Sequence, residues 1–119
     1  MIAQLHQLLA GASVLVVVAL GAEAAVRAWR GSPRGPFAER LESIVLIVVL
    51  IAIAGGIGLF VSGPGPREGL HFLYGGLAFG ILPVAKSLTQ KSSARRQAVG
   101  TLAAALVVLV VLARLFATG

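Results

Sequence analysis

The chain contains few side chains that can carry out chemistry. Its 119 residues include two histidines, His6 and His71, four Asp or Glu residues and no cysteine. The histidines are therefore the main candidates for binding a metal or moving a proton. The lack of cysteine excludes disulfides, thiolate metal sites and thiol catalysis. The sequence shows no carboxylate pair, nucleophile–base set or phosphate-binding loop, so we expect no hydrolytic or group-transfer enzyme.

The two histidines stand in similar short sequences. Residues 5–11 and 70–76 both read L-H-x-L-x-x-G, and residues 59–63 and 115–119 both read L-F-(V/A)-(S/T)-G. The spacing between the motifs is shorter in the second copy, which would shorten its inner loop. We interpret the pattern as a tandem duplication, with repeat 1 at residues 1–63 and repeat 2 at residues 66–119. Coincidence in a chain rich in Leu and Gly is the alternative.

Four apolar segments dominate the chain. Hydrophobic residues make up 58% of it and charged residues only 12%, and the mean hydropathy is +0.98. This composition excludes a soluble globular enzyme and a disordered chain. The segments lie at about residues 5–28, 43–62, 69–86 and 97–117, and each is close to the roughly 20 residues that cross a bilayer as a helix. We predict an all-α integral membrane protein with one domain, residues 1–119, in which short loops give an up-down-up-down four-helix bundle.

The distribution of basic residues predicts the orientation. Arg27, Arg30, Arg34 and Arg40 surround the first loop, and Lys86, Lys91, Arg95 and Arg96 surround the third. Only Arg67 and Arg114 lie toward the other face. By the positive-inside rule, both termini face outward across a bacterial cytoplasmic (inner) membrane. The net charge of +6 thus indicates topology and contact with the lipid bilayer, and we expect no nucleic-acid partner. No basic segment precedes the first apolar run, so we do not expect a cleaved signal peptide there.

The proposed repeat predicts that the histidines face one another. Two spans per copy give both copies the same orientation, related by a pseudo-two-fold axis along the membrane normal. His6 and His71 would then lie at one depth near the outer surface, on helices placed diagonally across the bundle. Small residues one and two turns further along each helix leave room between them. The predicted site comprises His6, His71, Ala10, Gly11, Ser13, Gly55, Gly56, Tyr74, Gly75, Ala78 and Arg114.

Haem b is the ligand that accounts for these features together. A haem with His6 and His71 as axial ligands suits the opposed imidazoles and the slot of small residues. Aromatic side chains in the outer halves of the spans would border it: Phe60, Phe72, Tyr74 and Phe116. Arg114 or Arg67 would pair with the propionates. The arrangement is similar in kind to four-helix membrane proteins that hold a haem between two histidines, although no motif of a named family matches. We expect electron transfer or haem handling, with a quinol or an outer-side redox partner, in a homodimer or a larger complex.

Other classes of function stay open at this stage. The same histidines could bind copper, with Glu68 as the nearest carboxylate. A small transporter is a second alternative, although no ionisable residue lies at mid-membrane and Glu23 is within reach of Arg27. A structural or assembly subunit of a membrane complex needs no chemistry. In these readings the glycines, including Gly76 and Gly80 in a G-x-x-x-G pattern, would only allow close helix packing.

Overall fold

The protein is built from four long helices. The structure, a computed structural model, describes residues 2–62 and 69–118. Its helices are α1 (Ile2–Arg30), α2 (Pro36–Ser62), α3 (Leu70–Thr89) and α4 (Ala94–Thr118). Each is long and apolar enough to cross a membrane. The prediction of an all-helical, multi-pass membrane protein is therefore confirmed at this level.

The helices are longer than the apolar segments that predict them. The apolar run of α2 begins at about residue 43, whereas the helix begins at Pro36. Proline is favoured in the first helical turn, and the carboxylate of Glu39 stabilises the same turn through the helix dipole. Hydropathy marks only the part of a helix that lies in hydrocarbon, so it misses polar turns that continue beyond the bilayer core.

The turn after α1 ends that helix with a glycine. Gly31 has a φ of +66°, and the amide of Ser32 donates to the carbonyl of Arg27 at 3.1 Å. This is the Schellman arrangement, in which a left-handed glycine closes the last helical turn. Arg95 of α4 also donates from Nε to the carbonyl of Ala28 at 3.0 Å. The end of α1 is thereby held against the start of α4.

The interior consists mainly of Ala, Val and Leu side chains, while many other large apolar residues face outward. Val17, Leu20, Val45, Leu82 and Val108 are fully buried or nearly so. Many Leu, Ile and Phe side chains are half exposed, as expected where the surroundings are lipid. Among the helix pairs, α1 packs closely against α2 and α4, and α3 packs against α4. Of the four neighbouring pairs, α2 and α3 approach each other least.

One end of the bundle is held together by charged side chains, and we call it the arginine end. Arg34, in the loop before α2, contacts Glu42 through Nη1 and donates from Nη2 to Thr101 Oγ1 of α4 at 3.0 Å. Lys86 of α3 donates to Glu39 Oε2 at 3.0 Å. Glu42 and Thr101 are buried, so the contacts of Arg34 link the loop, α2 and α4 inside the bundle, whereas the half-exposed pair of Lys86 and Glu39 links α2 and α3 at its surface.

A further ion pair lies within α1 toward the same end. Arg27 Nε donates to both carboxylate oxygens of Glu23, at 2.9 and 2.7 Å. The predicted contact between these residues, four apart on one helix, is confirmed. Glu23 therefore serves as the counter-charge of a buried arginine.

Candidate functional site

The two histidines lie next to each other at the opposite end of the bundle. Their ring centroids are 6.3 Å apart, and the ring planes make an angle of 61°. His6 extends from the first turns of α1 and His71 from the first turn of α3. The structure thus brings together two residues that are 65 positions apart (71 − 6 = 65) in the chain.

Backbone carbonyl groups orient both imidazoles. His6 Nδ1 lies 2.9 Å from the carbonyl oxygen of Ala52 in α2. Since a carbonyl only accepts, Nδ1 carries the proton, and the neutral ring keeps its lone pair on Nε2. His71 makes a hydrogen bond with the backbone of Leu115, in the last turn of α4. Each histidine is therefore fixed against the helix that follows its own in the chain.

Two glycines of α2 provide the space for the His6 ring. A Cβ atom built on Gly56 would lie 3.1 Å from His6 Cε1, closer than ordinary van der Waals contact. A Cβ atom on Gly55 would lie 3.7 Å from His6 Nδ1. Gly56 in particular allows the imidazole to lie close to the backbone of α2. A larger residue at this position would displace the ring.

A cavity of about 350 Å³ adjoins the histidines. Side chains from all four helices line it, and most of them are small or apolar. From the predicted site, the lining includes His6, Ala10, Ser13, Gly56, His71, Gly75 and Ala78. The Ser13 hydroxyl donates to the carbonyl of Leu9 at 2.8 Å, so its hydrogen-bond donor is already used. A Cβ atom on Gly75 would meet no atom within 4 Å, because the cavity lies in front of it.

Other predicted site residues lie outside the cavity lining. Gly55 touches His6 from the side of α2. Tyr74 is partly buried against the hydrophobic core, and Arg114 Cζ lies 5.9 Å from the centroid of its ring. Gly11 is exposed and has no contact that a Cβ would disturb. Gly76 and Gly80 likewise have open space beside them, so they do not mediate close packing between the described helices.

The structure adds contacts that sequence reasoning did not identify. The carbonyl groups of Ala52 and Leu115 are the hydrogen-bond partners of the two imidazoles. No sequence signal marks them, since every residue carries a carbonyl group. Phe60 and Phe72 meet edge to face beside the cavity, with ring centroids 5.3 Å apart. Both phenylalanines were expected near the site from their position in the outer halves of the spans.

The charged residues considered as partners at this end are only partly described. Arg67 and Glu68 fall outside the residues that the structure describes. Within residues 2–62 and 69–118, no group of three or more His, Cys, Asp or Glu side chains is placed to hold a metal ion. Any metal at the histidines would therefore need further ligands from a cofactor, a solvent molecule or another part of the chain.

Comparisons with known proteins identify no relative. No protein-family model, curated protein or solved structure matches this chain. Its function is therefore inferred from its residues and their geometry.

Proposed function

We propose that this protein binds haem b with His6 and His71 as the axial ligands. The observation that carries this proposal is the pair of imidazoles, 6.3 Å apart between centroids, beside a cavity. With metal–nitrogen bonds of about 2 Å, two imidazoles on opposite sides of one metal have centroids about 6 Å apart. The observed separation is consistent with that arrangement.

The hydrogen bonds of the histidines support the same role. Metal-ligating histidines commonly donate one ring N–H to a backbone carbonyl or a carboxylate, which fixes the tautomer and the ring orientation. His6 makes this kind of contact with Ala52 and leaves Nε2 as its electron-pair donor. His71 is fixed in a comparable way by the backbone of Leu115. Both imidazoles are thus held in place before any ligand binds.

The surroundings of the histidines suit a flat and largely apolar ligand. Ala10, Gly75 and Ala78 leave room along the cavity wall, and aromatic side chains border it. A volume of about 350 Å³ is at the small end of ligand pockets, so the edge of a macrocycle would extend between helices. Arg114, beside Tyr74 on the outer part of α4, is the described cation assigned to a propionate.

Haem held by His6 and His71 would supply single-electron transfer, and with both imidazoles bound it would leave no position for a small ligand. The protein residues contribute orientation and an apolar environment. A haem near one membrane face would be suited to exchanging electrons with a quinol or with a redox partner on that side. Haem storage or delivery would use the same site.

We also propose the topology that places this site near the outer face. His6, early in α1, contacts Ala52, late in α2, and Arg95, early in α4, contacts Ala28, late in α1. These contacts favour an up-down-up-down bundle. The tandem repeat is supported by the similar packing of α1 on α2 and of α3 on α4. Residues of the basic loops would then face the cytoplasm, in a bacterial inner membrane.

Absorption spectra of the purified protein test the haem proposal. Protein expressed with haem available should show a Soret band that shifts on reduction with dithionite. His6→Ala and His71→Ala should each remove or strongly shift the band, because one axial ligand is lost. Gln7→Ala is the matched control, since Gln7 lines the same cavity without an imidazole. Wild-type protein without a Soret band, or an unchanged band in His71→Ala, would refute the proposal.

A further inference from the structure

The bundle is unevenly closed around its circumference. On the side of α1 and α4, a Cβ atom on Gly21 would lie 3.5 Å from Ala105 Cβ, and neighbouring residues are buried. Among the four sides between neighbouring helices, the side of α2 and α3 is the least closely packed. The pseudo-two-fold axis of the proposed repeat would make the α1–α4 side and the α2–α3 side equivalent. Their different packing therefore departs from that symmetry, and the looser side is the one between α2 and α3.

We call the line along which α2 and α3 face each other the seam, and side-chain contacts cross it near its two ends. At the arginine end, Lys86 bridges to Glu39. At the histidine end, Phe60 packs against Phe72. A second cavity of about 310 Å³ lies along the same seam near the arginine end, lined by residues of α2 and α3. The two helices thus leave space between them over much of their length.

The side chains at the edge of the histidine cavity are apolar and partly exposed. Ile57 and Phe60 of α2 are 54% and 55% exposed, and Phe72 of α3 is 48% exposed, although all three line the cavity. Ala3 and Gln7 of α1 and Phe116 of α4 also line the cavity and reach the surface, so it is the sparse packing between α2 and α3 that points to an opening on their side. In a membrane-spanning bundle, an apolar opening on the helix flanks faces lipid hydrocarbon.

We propose that the cavity opens sideways into the bilayer between α2 and α3 and receives its ligand from the lipid phase. The ligand class, a planar and largely apolar metalloporphyrin dissolved in the membrane, rests on the proposed haem function. The existence of the opening does not depend on that function. Phe60 and Phe72 form its outer border, and the ion pair of Lys86 with Glu39 holds the two helices together beyond its inner border.

The opening is tested first without any ligand. Because the chain has no cysteine, one spin label can be attached at Gly75→Cys, where a Cβ meets no atom within 4 Å. In lipid nanodiscs, the label should be accessible to oxygen dissolved in the bilayer and protected from a water-soluble nickel chelate. A label at Leu8→Cys, on the lipid-exposed face of α1, gives the reference for full lipid access. Access to the nickel chelate, or to neither reagent, would overturn the proposal.

The route is then tested with haem as the probe. Ile57→Trp adds bulk at the opening, whereas Ile51→Trp adds the same bulk on an exposed part of α2 outside the cavity lining. Haem uptake from lipid vesicles into ligand-free protein should slow at least fivefold in Ile57→Trp and stay near the wild-type rate in Ile51→Trp. Equal uptake rates in the two variants would contradict lateral entry. If wild-type protein binds no haem, the haem function fails, and the spin-label result still decides whether the opening exists.

Discussion

At the scale of single residues, the contact between His6 and Gly56 determines how the imidazole is placed. The ring donates to the Ala52 carbonyl and packs against Gly56 of the same helix, which has no Cβ to displace it. Alanine at position 56 would bring a carbon 3.1 Å from Cε1, so the ring would have to shift by a few tenths of an ångström. Such a shift would weaken the hydrogen bond and misalign Nε2.

Gly56→Ala is therefore expected to impair the site more than it impairs the fold. Alanine stabilises a helix by about 1 kcal/mol relative to glycine, so helix content and the free energy of unfolding should change little. Haem affinity should fall at least about tenfold, which corresponds to roughly 1.4 kcal/mol. Haem titration followed at the Soret band measures this. Gly58→Ala, with no atom within 4 Å of the new Cβ, is the control, and an equal loss in both variants would contradict the argument.

The residue scale also shows what the sequence could predict and what it could not. The histidines and the small residues at three- and four-residue spacing were predictable because these spacings lie on one helix face. Gly11 was expected in the site because it lies within about one to two helical turns of the level of the histidines. It follows His6 by five positions, which rotates it by about 140° on a helix of 3.6 residues per turn. It is consequently exposed, as is Gly76 in the second motif.

At the scale of elements, the tightest described contact of a glycine joins α3 and α4. A Cβ atom on Gly100 would lie 2.9 Å from the Cγ2 methyl of Thr89, a separation that real structures do not show. The Thr89 hydroxyl donates to the carbonyl of Ala85 at 2.8 Å, which restricts the methyl to its present position. Gly100 therefore allows the end of α3 to lie close to the start of α4. Hydropathy predicted both helices but not this contact, which depends on their relative rotation.

Gly100→Ala is expected to lower the free energy of unfolding by up to about 2 kcal/mol. Overpacking typically costs about 1–3 kcal/mol, of which the gain of about 1 kcal/mol in helix propensity offsets only a part at so close a contact. Adding Thr89→Ser removes the methyl and keeps the hydroxyl, so the double variant should regain wild-type stability or exceed it. Unfolding in mixed detergent micelles measures all three proteins. A double variant as unstable as Gly100→Ala would show that the methyl is not the cause.

At the scale of the whole molecule, the basic residues serve two purposes. Their sequence distribution predicts which loops face the cytoplasm. The structure shows that some of them also hold helices together, since Arg34 reaches Glu42 and Thr101, and Lys86 reaches Glu39. The sequence could not predict these contacts, because they join residues from three helices and a loop. Orientation and stability therefore depend in part on the same side chains.

The orientation can be measured in intact cells because the chain has no native cysteine to remove. Gln4, Pro33 and Gln90 are exposed, on the first turn of α1 and in the two basic loops, and each can be replaced singly by cysteine. A membrane-impermeant maleimide added outside should label Gln4→Cys directly, and should label Pro33→Cys and Gln90→Cys only after permeabilisation. The opposite pattern would place the histidine cavity near the cytoplasmic face. It would then exclude an outer-side redox partner while leaving haem binding and lateral entry unaffected.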